Sequence, residues 1–225
     1  PELLAAGNKG ERLRRAMEAE LAERPGDAYA SAKLGALEIS SGNRDRGVEL
    51  LRHGLTHCAP DAHVERYELL LHLAMAQAAS DSTEATALYR QALELPLPPR
   101  LTLAARINLS SLLLEQGELD EAAALARTAS SAAPELPHGW RSLGWIERRR
   151  GRLGEAITAY RRSVELDGEH AETQQNLAVA LLLGGDIEGA RRGFRRAIEL
   201  LESQGRGGEA RALTQQAGEL VKLDA

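Results

Sequence analysis

The amino-acid sequence predicts an all-α fold of stacked antiparallel helix pairs, on three observations. A 34-residue pattern recurs along the chain, apolar residues within each copy fall three and four apart, and aromatic residues are only 3% of the 225. A fixed period of this length marks a repeat architecture. Spacings of three and four are a helical period, not the alternation of a strand. A core left to Leu and Ala suits closely packed helices better than sheets, which favour aromatic and β-branched residues.

The clearest copy contains Trp140, Leu143, Gly144, Gly151, Ala156, Tyr160, Ser163 and Leu166. Thirty-four residues on stand Leu177, Ala178, Gly185, Ala190, Phe194, Ala197 and Leu200, and thirty-four residues back stand Leu109, Ser110, Gly117, Ala122, Ala126, Ala129 and Ala132. Size and apolarity recur without a gap. Earlier copies are looser: one holds Leu34, Gly35, Gly42, Gly47, Leu51, Gly54 and Pro60, the next Leu73, Ala74, Ala85, Tyr89, Ala92 and Leu95, with a shortened turn near Asp81.

Taken in order, the elements are these. Residues 1–27 form a leading half-unit, with a helix from Gly10 to Pro25 that uses Leu13, Ala16, Met17 and Leu21 as its apolar face. Five full helix pairs follow at 28–61, 67–102, 103–136, 137–170 and 171–204, with residues 62–66 and Pro96 to Thr102 absorbing irregularities. Gly117, Gly151 and Gly185 fall between paired helices, where positive φ is useful. Pro25, Pro60 and Pro134 fall between units, where proline stops a helix. Small residues at the eighth and twentieth positions of each unit let paired helices approach closely. Residues 205–225 close the stack with a helix over 207–223, apolar through Ala210, Leu213, Ala217, Leu220 and Val221, and polar through Glu209, Arg211, Gln215, Gln216, Glu219 and Lys222. One pair cannot bury its apolar face alone, so neighbours must stack.

A net charge of −5 and a pI of about 5.8 give no reason to expect a nucleic-acid partner. The single cysteine, Cys58, excludes an intrachain disulfide framework and suits a reducing, cytoplasmic setting. No apolar run reaches the roughly 18 residues of a membrane helix, and no secretory segment is visible, so no membrane partner is expected. The chain opens on Pro1 instead of Met, which suggests a piece of a longer product. His53 and His57 stand four apart with Cys58 and His63 nearby, but no acidic residue completes an H-E-x-x-H pattern, and neither metal nor cofactor is expected. There is no nucleophile elbow, phosphate loop or dinucleotide fingerprint, and the carboxylates read as exposed groups at salt-bridge spacing. The basic runs Arg148-Arg149-Arg150 and Arg191-Arg192 read as solvated faces balanced by Glu147, Glu155, Glu188 and Glu199.

The Trp-x-x-Leu-Gly…Gly…Ala-x-x-x-Tyr run of residues 140–160 resembles the tetratricopeptide-repeat (TPR) family, whose period is 34. The resemblance covers nearly the whole chain. Departures are Gly168 and Glu202, which replace the usual proline, and the presence of Trp at the fourth position only once. What it implies is a right-handed superhelical solenoid whose first helices line a groove, and a non-enzymatic scaffold that binds a peptide or protein segment there. By that resemblance the groove positions include Tyr29 and Lys33 in the first unit, and Glu68, His72 and Met75 in the second. Asn108 and Asn176 occupy the position where peptide-binding members carry an amide that donates to and accepts from a peptide backbone. Arg141 and Trp145, one turn apart, resemble part of a carboxylate clamp, with Trp145 standing where the clamp carries Asn; His138 and Arg148 flank them. Two alternatives stay open. The stretch Arg12 to Asp27 followed by Lys33-Leu34-Gly35 is similar to the TPR tails of some bacterial family-2 glycosyltransferases, although no D-x-D motif occurs. Self-assembly through exposed ends is the other; the expected state is a monomer or weak homo-oligomer.

Overall fold

A computed structural model describes residues 2–221, with side chains from Gly10 onward. Among them are twelve α-helices and no strand. They are α1 (Glu2–Glu23), α2 (Ala28–Ser40), α3 (Arg44–His57), α4 (His63–Gln77), α5 (Ser82–Glu94), α6 (Leu103–Gln116), α7 (Leu119–Ala132), α8 (Pro137–Arg149), α9 (Leu153–Leu166), α10 (Ala171–Leu183), α11 (Ile187–Ser203) and α12 (Gly207–Val221). The chain divides into two compact units, the first ending at Leu112 and the second starting at Leu113.

In the first unit, α2 and α3 pack through glycine. A Cβ added to Gly35 would stand 2.7 Å from Leu51 Cγ and 3.0 Å from the Gly47 carbonyl oxygen, so any larger residue would push the two backbones apart. Asp27 and Asp81 cap α2 and α5, their carboxylates accepting from Ala30 N at 2.8 Å and Glu84 N at 2.9 Å, which satisfies amides that helix geometry leaves open. Tyr67, on α4, accepts from Ala105 N at 3.3 Å through its hydroxyl, a buried link to α6. Helix α4 opens at His63, ahead of the expected unit start at 67, and α1 opens at Glu2, ahead of the expected Gly10.

In the second unit the same rule recurs with a larger filler. A Cβ at Gly144 would meet the Tyr160 ring at 2.7 Å, and Tyr160 is fully buried. One continuous core then joins Tyr160, Leu177, Ala178, Phe194, Leu200 and Leu201 to the α12 residues Leu213, Ala217 and Val221. The closing helix therefore buries the apolar face expected of it except Leu220, which is exposed; Lys222 lies outside the described residues. Gly117, Gly151 and Gly185 adopt φ of 84°, 76° and 87°. That left-handed conformation costs any residue with a Cβ about 1 kcal/mol or more. Helix α11 runs past Glu202, which stands in place of a proline, to Ser203, and Gly205 just beyond it adopts a φ of 74°.

Two carboxylates depart from the expectation of exposed faces. Glu38 and Glu147 occupy the same position in their units and are 0% and 1% exposed. Arg14 and Asn43 hold the first, the amide at 2.7 Å. Arg127 holds the second, with Arg150 at 3.3 Å and Arg152 at 4.0 Å. An isolated buried carboxylate costs several kcal/mol, so these arginines are what make the position tenable. Part of the 148–150 basic run is thus engaged inside the fold. Arg150 also bonds Asp120, and in the second basic run Arg191 donates to the Val221 carbonyl at 2.9 and 3.1 Å.

Candidate functional site

Most of the predicted binding residues come from α8. Its start is fixed against α7: Pro137 sits in its first turn, a Cβ on Gly139 would lie 2.9 Å from Ser130 N, and Trp140 Nε1 donates to the Pro134 carbonyl at 3.0 Å. With 3.6 residues per turn, Arg141, Trp145 and Arg148 form one stripe, and exposed His138 lies one turn before Arg141.

Arg141 is half-buried and has no carboxylate partner among the described residues. Its charge instead acts on His170, which caps α10 by accepting from Thr173 N at 3.3 Å through Nδ1. Burial first, then Arg141, press the imidazole below its ordinary 6.5, and His138 adds to this while Glu172 and Asp167 oppose it. Next to it, burial alone would raise the Glu172 carboxyl. Its own backbone N–H and the Arg206 guanidinium, 2.6 Å away, outweigh burial and hold it below 4.5. Arg206, gripped by Glu209 and Glu172, is held above its ordinary range.

Trp145 packs half-buried on the core that Tyr160 belongs to. Arg148 turns inward beside the Tyr160 hydroxyl. Its charge partly opposes the upward push of burial on that phenol, yet Arg148 Nε and Tyr160 Oη are both buried and neither closes a hydrogen bond. Asn176 stands half-buried on α10 with its amide unbonded among the described residues. The second unit therefore holds five of the six predicted residues, His138, Arg141, Trp145, Arg148 and Asn176, on α8 and α10.

Asn108 belongs to the first unit and is differently employed. Its side chain stands against the hydroxyl of buried Tyr89, where it partly offsets the rise that burial gives that phenol. Two asparagines alike in sequence position thus differ in availability. Also in the first unit, Lys33 bonds Glu68 at 2.6 Å and lies 5.4 Å from the centre of the Tyr29 ring. Tyr29 and Met75 there are exposed. His53 and His57 stack on α3 with ring centres 4.2 Å apart, Cys58 is buried, and no metal-holding group of three His, Cys, Asp or Glu residues occurs among the described residues.

Residue-by-residue reading missed His170, Arg206 and Tyr160. A capping role for His170 was concealed because the usual capping residues are Ser, Thr, Asp and Asn. Tyr160 read only as core, and its hydroxyl acquires meaning from Arg148.

The tetratricopeptide-repeat family model matches residues 74–137, 109–171 and 141–204, together more than half of the chain. A TPR repeat-containing protein of Synechococcus elongatus is 37% identical over 87% of this chain, which spans 48% of that protein's length. Among solved structures, MamA from Desulfovibrio magneticus RS-1 aligns with a TM-score of 0.67 at 21% identity, covering 79% of this chain and 96% of its own. YrrB, described as a TPR protein with an unusual peptide-binding site, aligns with a TM-score of 0.65 at 17% identity, covering 88% and 98%.

Proposed function

The chain belongs to the tetratricopeptide-repeat family, and from that premise we propose that it is a non-enzymatic scaffold that holds a segment of a partner protein on the first-helix face of its second unit. The observation that carries this is the pairing of unused groups: the Arg141 guanidinium and the Asn176 amide have no internal partner among the described residues. An unpaired guanidinium grips a carboxylate in two hydrogen bonds, and a free amide grips backbone without regard to sequence. Half-buried Trp145 lies between Arg141 and Arg148 on the stripe and adds apolar area at low conformational cost. Charge and aromatic content argue against nucleic acid as the partner. YrrB is a precedent for a peptide-binding site on this fold.

The test is affinity capture with the wild type and with a variant carrying Arg141→Ala and Asn176→Ala, followed by calorimetry of the captured partner on each. A partner whose affinity falls at least about tenfold supports the reading; equal affinity for every partner sinks it. A second reading is favoured by the half-length match to the cyanobacterial relative: the repeats are an appendage of a longer protein whose catalytic domain, such as that of a family-2 glycosyltransferase, lies outside them. The length of the native reading frame tests it.

A further inference from the structure

A second stripe of α8, formed by Trp140, Leu143 and Glu147, faces away from Arg141 and Trp145. It floors a groove of about 650 Å³ between α7 and α9. Internal comparison shows how the groove arises. Thirty-four residues on, Leu181 stands in the place of Glu147, Glu188 in that of Gly154 and Arg192 in that of Thr158. In that later pair Leu177 and Leu181 are buried, whereas Leu143 stays half-covered. At Gly154 an added Cβ would meet nothing within 4 Å. The groove is therefore opened by side chains that are short here and long one repeat later.

Its polar lining is mostly satisfied internally. The Glu147 carboxylate is held by Arg127, Arg150 and Arg152. Trp140 Nε1 bonds Pro134, Ser130 Oγ donates to the Arg127 carbonyl at 3.0 Å, and Thr158 Oγ1 donates to the Gly154 carbonyl at 2.9 Å. What is left to a ligand is mostly apolar, the Trp140 ring face and Leu143, with the exposed Ser131 hydroxyl beside them. One charged group on the rim is unengaged, because exposed Glu155 has no cationic partner among the described residues.

We infer that this groove seats a large apolar side chain, leucine or phenylalanine, from an amphipathic helix of a partner protein, with a lysine or arginine one turn away meeting Glu155. A helix presents both groups on one face at that spacing, and a trough between two helices is a common seat for one. Because the Trp140 stripe is distinct from that of Arg141 and Trp145, the chain engages two segments independently.

The experiment uses the full chain, isotope-labelled for NMR, and a capped alanine-based helical peptide of about 16 residues carrying one phenylalanine and, four residues on, one arginine. Shifts should centre on the Trp140 indole N–H and the amides of Leu143, Gly154, Glu155 and Thr158. Gly154→Glu with Thr158→Arg, which installs the residues of the following repeat, should weaken binding by about tenfold or more, the worth of one large apolar contact. Its circular dichroism should match wild type. A peptide with serine for phenylalanine should not bind, and one with glutamate for arginine should bind several-fold more weakly. Shifts centred on Arg141 and Asn176, no shifts up to millimolar peptide, or undiminished binding by the folded double variant would each overturn the inference.

Discussion

Arg127 on α7 reaches the carboxylate of Glu147 on α8, a group only 1% exposed, while nearly half of the arginine side chain stays in solvent. The two ends of this pair are unequal, and the inequality has a measurable consequence. Glu147→Gln should destabilise by about 2–4 kcal/mol, because it leaves Arg150, itself 11% exposed, with only exposed Asp120. Arg127→Ala should lose about 1 kcal/mol or less, since two other arginines still neutralise the carboxylate. Urea midpoints of the two variants rank them; the reverse order would falsify this assignment of roles.

Two glycines of one helix pair should respond oppositely to alanine. At Gly144 the new methyl collides with the Tyr160 ring, which is buried and cannot retreat, so Gly144→Ala should cost about 1–3 kcal/mol despite its better helix propensity. At Gly154 the space is open and propensity alone acts, so Gly154→Ala should raise stability by up to about 1 kcal/mol. Thermal melts of both variants provide the check.

The folded chain depresses the pKa of His170, so it favours the neutral ring. Stability from this group is complete above the unfolded value of about 6.5 and is lost as pH falls from there through the lower folded value. Protonation also removes the Nδ1 acceptor that caps α10. His170→Asn keeps a capping acceptor without the titration, and should flatten the stability profile as pH falls below about 6.5. Parallel slopes for the two proteins across that range would exclude His170 as the source.

Asn108→Ala and Asn176→Ala are the same change at the same repeat position. The first removes the polar partner of the buried Tyr89 hydroxyl and should cost about 1–3 kcal/mol. The second removes an amide that bonds nothing described and should stay within about 0.5 kcal/mol of wild type. Guanidinium unfolding of both separates them, and equal losses would show that Asn176 supports the fold as much as Asn108 does.

The helix pairs were legible in the sequence because period and turn chemistry agree: Gly117, Gly151 and Gly185 were expected to have positive φ and do. The N-terminal start of α1 was obscured by Gly7 and Asn8, poor helix formers that this helix nonetheless contains. Glu38 and Glu147 were misread as surface groups, since carboxylates almost never bury unpaired, and Arg14 and Arg127, which reach them, lie 24 and 20 residues away. In the candidate binding face, α8 and Asn176 could be found from position alone. The engaged state of Asn108 could not, because it depends on a tyrosine hydroxyl from the preceding helix pair.

The ion pairs that tie one helix pair to the next span short stretches of chain, 35 residues from Lys33 to Glu68 and 20 from Arg127 to Glu147. Little loop entropy is lost in closing such contacts, so each helix pair can form on its predecessor as the polypeptide is synthesised. The same locality limits damage. A lesion in one pair should first loosen its immediate neighbours, and amide exchange should spread outward from the injured repeat while distant ones stay protected.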